Sequence, residues 1–324
     1  MRRAPLLSLA ALAAVAVLSA CGSGASGATA GGATDGGTTL SVVASFYPIE
    51  YAVQQVGGTH VTVASLTKPG AEPHDVELTP QDVARVGDAE LVVYAKGFQP
   101  AVDTAVDQEA TDHAFDVAPT ANLDLAAPPE EEGQPQAGTT PTDKPQSATA
   151  AKDPHFWLDP QRYAAVATAI AQRLEQTDPA NAAAYTENAK AFAARLTTLD
   201  GEFRTTLASC ARMQLVTSHA AFGYLSERYG LTQVAIAGLS PDVEPSAAQL
   251  ADVADFVRAN GVTTIYAETL VEPAFAATVA QSTGAQLATL DPIEGLTSTS
   301  AGRDYLEVMR SNLAALRTGQ SCPA

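Results

Sequence analysis

The chain has 324 residues, 46% of them hydrophobic, and 36 acidic against 18 basic side chains give a formal net charge of −18. That balance argues against a nucleic-acid partner, which is bound through clustered lysine and arginine, and it is compatible with cation capture without specifying it. The length allows two modest lobes or one large one.

Arg2 and Arg3 precede an apolar run, Leu6 to Leu18, that is too short to span a bilayer as a mature helix and reads as an export leader over residues 1–20. It ends in Leu18-Ser-Ala-Cys21, which resembles a bacterial lipobox and implies that Cys21 becomes the lipid-modified first residue of the mature chain. A lipid on Cys21 would tether a soluble domain to the outer face of the cytoplasmic membrane. An ordinary cleaved signal with an incidental cysteine is the plainer alternative. Residues 21–39 are almost all Gly, Ala, Ser and Thr, the composition of a flexible tether. Setting Cys21 aside leaves Cys210 and Cys322, a natural disulfide pair in an exported chain, with two buried free thiols as the alternative.

From residue 40 the pattern alternates. Leu40–Ser45 reads as a strand, with a helix to Val56, and Val61–Ser65 as a second strand running into a Pro/Gly turn. Thr79 stands as an N-cap before Pro80 at the first helical position, and Glu90–Tyr94 is a buried strand. Residues 127–152, with Glu130, Glu131 and Glu132, have no apolar periodicity and read as a long, disordered acidic surface loop. Tyr163, Val166, Ile170 and Leu174 recur at helical spacing until Asp178-Pro179, and residues 180–207 read as one further helix of about 40 Å, a strut between lobes. A second alternation follows: strands at Gln214–Thr217, Gln233–Ile236, Thr263–Glu268 and Gln286–Leu290, separated by helices, one of them with Ser246 in a capping position. This rhythm implies an α/β fold with largely parallel sheets. The expected organisation is a first lobe over 40–178, a linking helix over 179–209 and a second lobe over 210–324.

Only five histidines occur, and three sit in marked contexts: His74 in Pro69-Gly-Ala-Glu-Pro-His-Asp75, His155 in Asp153-Pro-His-Phe-Trp-Leu-Asp-Pro160, and His219 in Thr217-Ser-His-Ala-Ala-Phe-Gly-Tyr224. His74, His219 and Asp291 closely follow expected strands, and ligands collect beyond the carboxyl ends of strands in open α/β sheets. Neutral imidazole is the commonest ligand for zinc and its neighbours, so one metal site in an interlobe cleft is the leading expectation. A lone histidine of this kind would more often be structural. His60 and His113 lie in ordinary contexts and receive no metal role.

The ordered segments Pro69–Pro80, Asp153–Pro160, Ser218–Tyr224 and Leu290-Asp-Pro-Ile293 resemble those of the zinc/manganese solute-binding proteins of ABC transporters, from about residue 40 to the C-terminus. The resemblance implies two α/β lobes, each with a mainly parallel sheet flanked by helices, joined by one long rigid helix. It also implies His74, His155, His219 and Asp291 as ligands of one metal ion per chain, with an ABC permease as partner and a monomeric receptor. Relatives that take manganese usually have a carboxylate where His219 stands, and three imidazoles with one carboxylate suit Zn2+ better than Mn2+. Many zinc-binding relatives have a histidine-rich insertion at 127–152, whereas this chain has none there. Glu268, ending a strand in Tyr266-Ala-Glu, is expected to orient a ligand imidazole, with a plain surface charge as the alternative. Imidazoles bind metal when neutral, so affinity is expected to fall with falling pH. Two other functions compete. A zinc hydrolase with Glu268 as base lacks any HExxH-type spacing; a surface adhesin on the same fold would bind host protein independently of metal.

Overall fold

Residues 39–127 and 152–323 are described by a computed structural model. The leader with Cys21, nearly all of the tether and residues 128–151 of the acidic segment lie outside the described residues.

The first half of the chain contains β1 (Leu40–Ala44), α1 (Tyr47–Gly57), β2 (Val61–Ser65), α2 (Pro80–Asp88), β3 (Leu91–Tyr94), α3 (Pro100–Glu109), β4 (Ala114–Asp116) and α4 (Ala118–Ala121). Its strands lie in the order β2-β1-β3-β4, and every neighbouring pair is parallel. Parallel strands need crossovers, which put helices on the sheet faces and bury its centre. The centre strand β3, Leu-Val-Val-Tyr, is accordingly buried at every position. Two helices follow, α5 (Pro160–Thr177) and α6 (Ala182–Leu207). The second half repeats the scheme with β5 (Gln214–Thr217), α7 (Gly223–Tyr229), β6 (Thr232–Ala235), α8 (Ala247–Ala259), β7 (Thr264–Ala267), α9 (Ala274–Thr283), β8 (Gln286–Thr289) and α10 (Tyr305–Gly319). Its order is β6-β5-β7-β8, again parallel throughout.

The local chemistry explains the helix starts. Thr79 and Ser246 each form a reciprocal capping box, with Asp82 and Gln249, and Asp159 caps α5 ahead of Pro160. Four elements beyond those expected are present: α3, the half-buried three-residue β4, the short α4, and α10, which follows a Ser/Thr/Gly-rich stretch. Strand β4 is too short to show alternation, and its pairing with β3 holds it in place.

The expected strut is α6, a 26-residue helix about 39 Å long. It packs along α5 and touches α1 on one side and α7 and α10 on the other, so it spans both lobes. A single 3-10 turn at Pro179–Asn181 separates it from α5. One cluster of buried side chains runs from Val42, Phe46 and Ile49 through Ile170, Phe192 and Phe203 to Leu215, Tyr266 and Ile293. Because side chains alternate across a strand, Val43 and Val92 face a second cluster and Val216 and Ile265 a third, on the opposite faces of the two sheets. The continuous middle cluster makes the lobes one packed body rather than two beads on a hinge. A disulfide between Cys210 and Cys322 ties the segment after α6 to the segment after α10.

Candidate metal centre

His74 sits in the irregular connection between β2 and α2. The Glu72 carboxylate accepts the backbone N–H groups of His74 and Asp75, at 3.1 and 3.3 Å, and folds the loop back on itself. Gln99 Nε2 donates to Pro73 O at 3.1 Å and secures the loop to the lobe. The His74 ring packs edge-on against Phe98, centroids 4.6 Å apart.

His155 is held more tightly. Asp153 Oδ1 accepts both the backbone N–H of His155, at 2.9 Å, and its ring Nδ1–H, at 2.8 Å. The adjoining Trp157 stands 5.2 Å from the ring and donates its indole N–H to Pro292 O in the other lobe. His219 follows β5, and its Nδ1 lies 2.9 Å from Glu268 Oε1, at the end of neighbouring β7. Its carbonyl accepts from Thr217 Oγ1 and Gln233 Nε2, which fixes the backbone that presents the ring.

All three rings turn Nε2 toward a single carboxylate oxygen. Glu294 Oε1 lies 3.4 Å from His74 Nε2, 3.1 Å from His155 Nε2 and 3.2 Å from His219 Nε2. The four donor atoms lie within 4.8 Å of one another. Tetrahedral zinc with bonds of about 2.0–2.1 Å has ligand-to-ligand edges of about 3.3 Å, which the three distances to Glu294 Oε1 match. Two buried atoms, His74 Nε2 and Glu294 Oε2, have no hydrogen-bond partner among the described residues. Buried polar atoms are normally satisfied, and a cation at this point would satisfy them. His155, His219 and Glu294 are fully enclosed, whereas His74 retains 8% exposure and forms the outer edge of the site.

Electrostatics follow from this packing. Burial disfavours a charged His219, but the Glu268 and Glu294 carboxylates outweigh it and hold the ring up at about 10. His155 is raised in the same way by Asp153 and Glu294 against its own burial. His74 has no such clamp, and burial pulls it below the usual imidazole range. Glu294 is completely buried, yet its three imidazole neighbours, His219 foremost, hold it well below the usual carboxylate range. Nearer the surface Glu72, Asp75 and Asp242 form a second acidic group; burial, with Glu294 nearby, pushes the Glu72 carboxyl up to about 7.

The structure therefore brings together His74, His155 and His219, and sets Glu268 against His219. It does not bring in Asp291. That carboxylate is buried and pushed up to about 6 by burial, and its two oxygens are engaged by Ile293 N at 2.8 Å and Thr269 Oγ1 at 3.0 Å. The carboxylate that reaches the imidazoles is Glu294, three residues further on. Sequence reasoning stopped at the first acid after β8 because an irregular segment, with Ile293 at φ +60°, lies between the two and has no periodicity to read. It also missed Asp153, although the spacing Asp-Pro-His is itself the signal: a carboxylate two residues before a histidine can accept both the main-chain and the ring N–H. Cys21 lies outside the described residues.

Residues 42–319 match the family described as zinc-uptake complex component A, periplasmic. The chain belongs to this ZnuA family of solute-binding proteins. It is 36% identical over 281 residues to the high-affinity zinc uptake system protein ZnuA of Bacillus subtilis, covering 86% of each chain. It is 35% identical to the zinc-binding lipoprotein AdcA of Streptococcus pneumoniae over 88% of its own length, but spans only 57% of that longer protein. The Zn(II)-bound ZnuA-like domain of AdcA superposes with a TM-score of 0.70 at 32% identity, over 87% of this chain and 99% of that one. The laminin-binding protein Lmb of Streptococcus agalactiae, described as a bifunctional adhesin with metal-transporting activity, gives 0.73 at 32% identity over 87% and 100% of the two chains. ZnuA-family proteins are binding components that work with an ABC permease rather than enzymes, and membership places the chain outside the cytoplasm.

Proposed function

We propose that the chain is the membrane-tethered receptor of a zinc importer: it takes one Zn2+ between residues 40–178 and 210–324, with α6 as the link, and hands it to an ABC permease. The carrying observation is the meeting of three imidazole Nε2 atoms on Glu294 Oε1 in a closed site. His74, His155, His219 and Glu294 are the ligands in this reading. Asp153 and Glu268 hold the His155 and His219 rings by Nδ1, so that Nε2 points at the site and offers its lone pair once the ion displaces its proton. Four protein donors leave no position for a reacting water, which suits capture and transfer rather than hydrolysis. Three nitrogens to one oxygen favour zinc over manganese. Anchoring through a lipid on Cys21, and function as a monomer, complete the proposal.

The test is elemental analysis and competition titration of the metal-stripped mature chain. One tightly held zinc, preferred over manganese, is the expected result; manganese preference or no stoichiometric metal would sink the reading. Release of the Cys21→Ala chain from membranes to the medium checks the anchor. Surface adhesion is a second reading, favoured by the likeness to Lmb; binding of host matrix protein that persists in the His219→Ala variant would support it.

A further inference from the structure

Between Asp291 and Glu294 the backbone takes an unusual path. Ile293 has φ +60°, in the left-handed region. A β-branched residue seldom adopts it, because Cβ crowds the carbonyl and the branched side chain adds to the clash. Ile293 is wholly buried and belongs to the core cluster that joins the lobes. Such a conformation persists only where the surroundings over-determine it.

The surroundings here are specific. Asp291 Oδ1 accepts the N–H of Ile293, two residues on, at 2.8 Å, the side-chain turn that aspartate forms readily. Asn312 on α10 brackets the main chain of Asp291, accepting from its N–H at 2.9 Å and donating to its carbonyl at 2.6 Å. Thr269 Oγ1 occupies the remaining carboxylate oxygen at 3.0 Å. The middle of the turn is fixed from the other lobe by Trp157 Nε1, 2.7 Å from Pro292 O. Released from these bonds, Ile293 would relax to negative φ and the side chain after it would leave the backbone in a different direction. That side chain is Glu294.

We propose that Asp291 is a positioning residue: with Asn312 it holds Ile293 in the left-handed conformation, and so aims the Glu294 carboxylate at the three imidazoles. The inference rests on the reading of these four residues as a metal centre. It gives Asp291 a role that does not depend on its charge, because what the turn requires is an oxygen that accepts the Ile293 N–H. It also joins the two lobes at the site, since Trp157 lies two residues after His155 and touches the same turn.

The test compares wild type, Asp291→Asn, Asp291→Ala and Glu294→Gln after metal stripping, by zinc competition titration and by the visible spectrum of the Co2+-loaded protein. Asparagine keeps the accepting oxygen, so Asp291→Asn is expected to bind zinc within about threefold of wild type with an unchanged cobalt spectrum. Asp291→Ala is expected to lose roughly 10–100-fold, the range for residues that orient ligands, with an altered spectrum, and Glu294→Gln to lose more. Asparagine and alanine variants that are equally weak would mean the charge itself binds the ion; an alanine variant like wild type would mean the turn does nothing. Either overturns the inference. Failure of wild type to hold zinc would instead overturn the metal centre. Should Asp291→Ala not fold, Trp157→Phe removes the bond to Pro292 O while keeping a smaller aromatic ring beside His155. It is expected to weaken zinc severalfold and shift the cobalt spectrum, and no change in either would count against the proposal.

Discussion

His74 and His155 come from the same lobe and meet the same oxygen, yet they are held in opposite ways. His155 is clamped through Nδ1 by Asp153, packed on Trp157 and fully enclosed. His74 stands on an irregular loop against Phe98, with some exposure and no hydrogen bond to its Nδ1 among the described residues. His219, in the other lobe, follows the first pattern, with Glu268 in the part of Asp153. The difference separates a fixed floor, made by His155, His219 and Glu294, from one adjustable wall. An ion that has to be captured and later given up needs both: preorganised donors for affinity, and one element that moves without breaking the core.

The comparison can be broken most directly at the rings. Removing one of four zinc ligands is expected to cost roughly a hundred- to a thousandfold in affinity, and we expect His155→Ala and His219→Ala to reach that range. His74→Ala is expected to cost at least about tenfold less, because a ring with no hydrogen bond to fix its orientation contributes less net binding. Competition titration decides it, and an equal loss at all three positions would remove the distinction between floor and wall. The next effect concerns the clamps. Asp153→Ala and Glu268→Ala are each expected to weaken zinc by about 10–100-fold. Gly223→Ala sharpens the point without replacing a polar side chain: an added Cβ would lie 2.3 Å from Asp153 Oδ2. It is expected to push the clamp aside and reduce affinity in the same direction by a smaller factor, and an unchanged titration would show that His155 does not depend on Asp153.

The smallest effect lies away from the site, where α5, α6 and α7 meet. Asp200 on α6 accepts from Arg228 Nε at 2.6 Å and pairs with Arg204 at 2.8 Å, while Arg228 also lies 3.2 Å from Asp159, the cap of α5. Burial works against the Asp200 charge, but the two arginines outweigh it and hold the carboxyl down at about 2. Its unfolded value is about 3.9. The stabilisation is therefore present above about pH 4 and is lost as pH falls toward about 2. Asp200→Asn is expected to cost roughly 1–3 kcal/mol near neutral pH, and the gap to wild type in thermal melting is expected to close over that acid range. A gap that stays constant with pH would show that the pair contributes through shape alone.

Much of this molecule is written locally. The strand and helix rhythm, the capping residues Thr79 and Ser246 and the long α6 follow from periodicity and end chemistry, which act within a few residues. His74, His155 and His219 stand out for a related reason: each sits in or beside a turn or strand-end segment, where a polar side chain has no helix or sheet face to join. Tertiary structure decided the rest. Only the folded chain shows that both sheets share one strand order and that one core runs through both lobes. The carboxylate facing the imidazoles could not be read from the first acid after β8, because a left-handed turn at Ile293 depends on Asn312 from α10 and Trp157 from the other lobe. Local sequence sets which donors exist and roughly where the chain turns. Which oxygen among Asp291 and Glu294 reaches the ion is fixed by hydrogen bonds from residues far away in the chain.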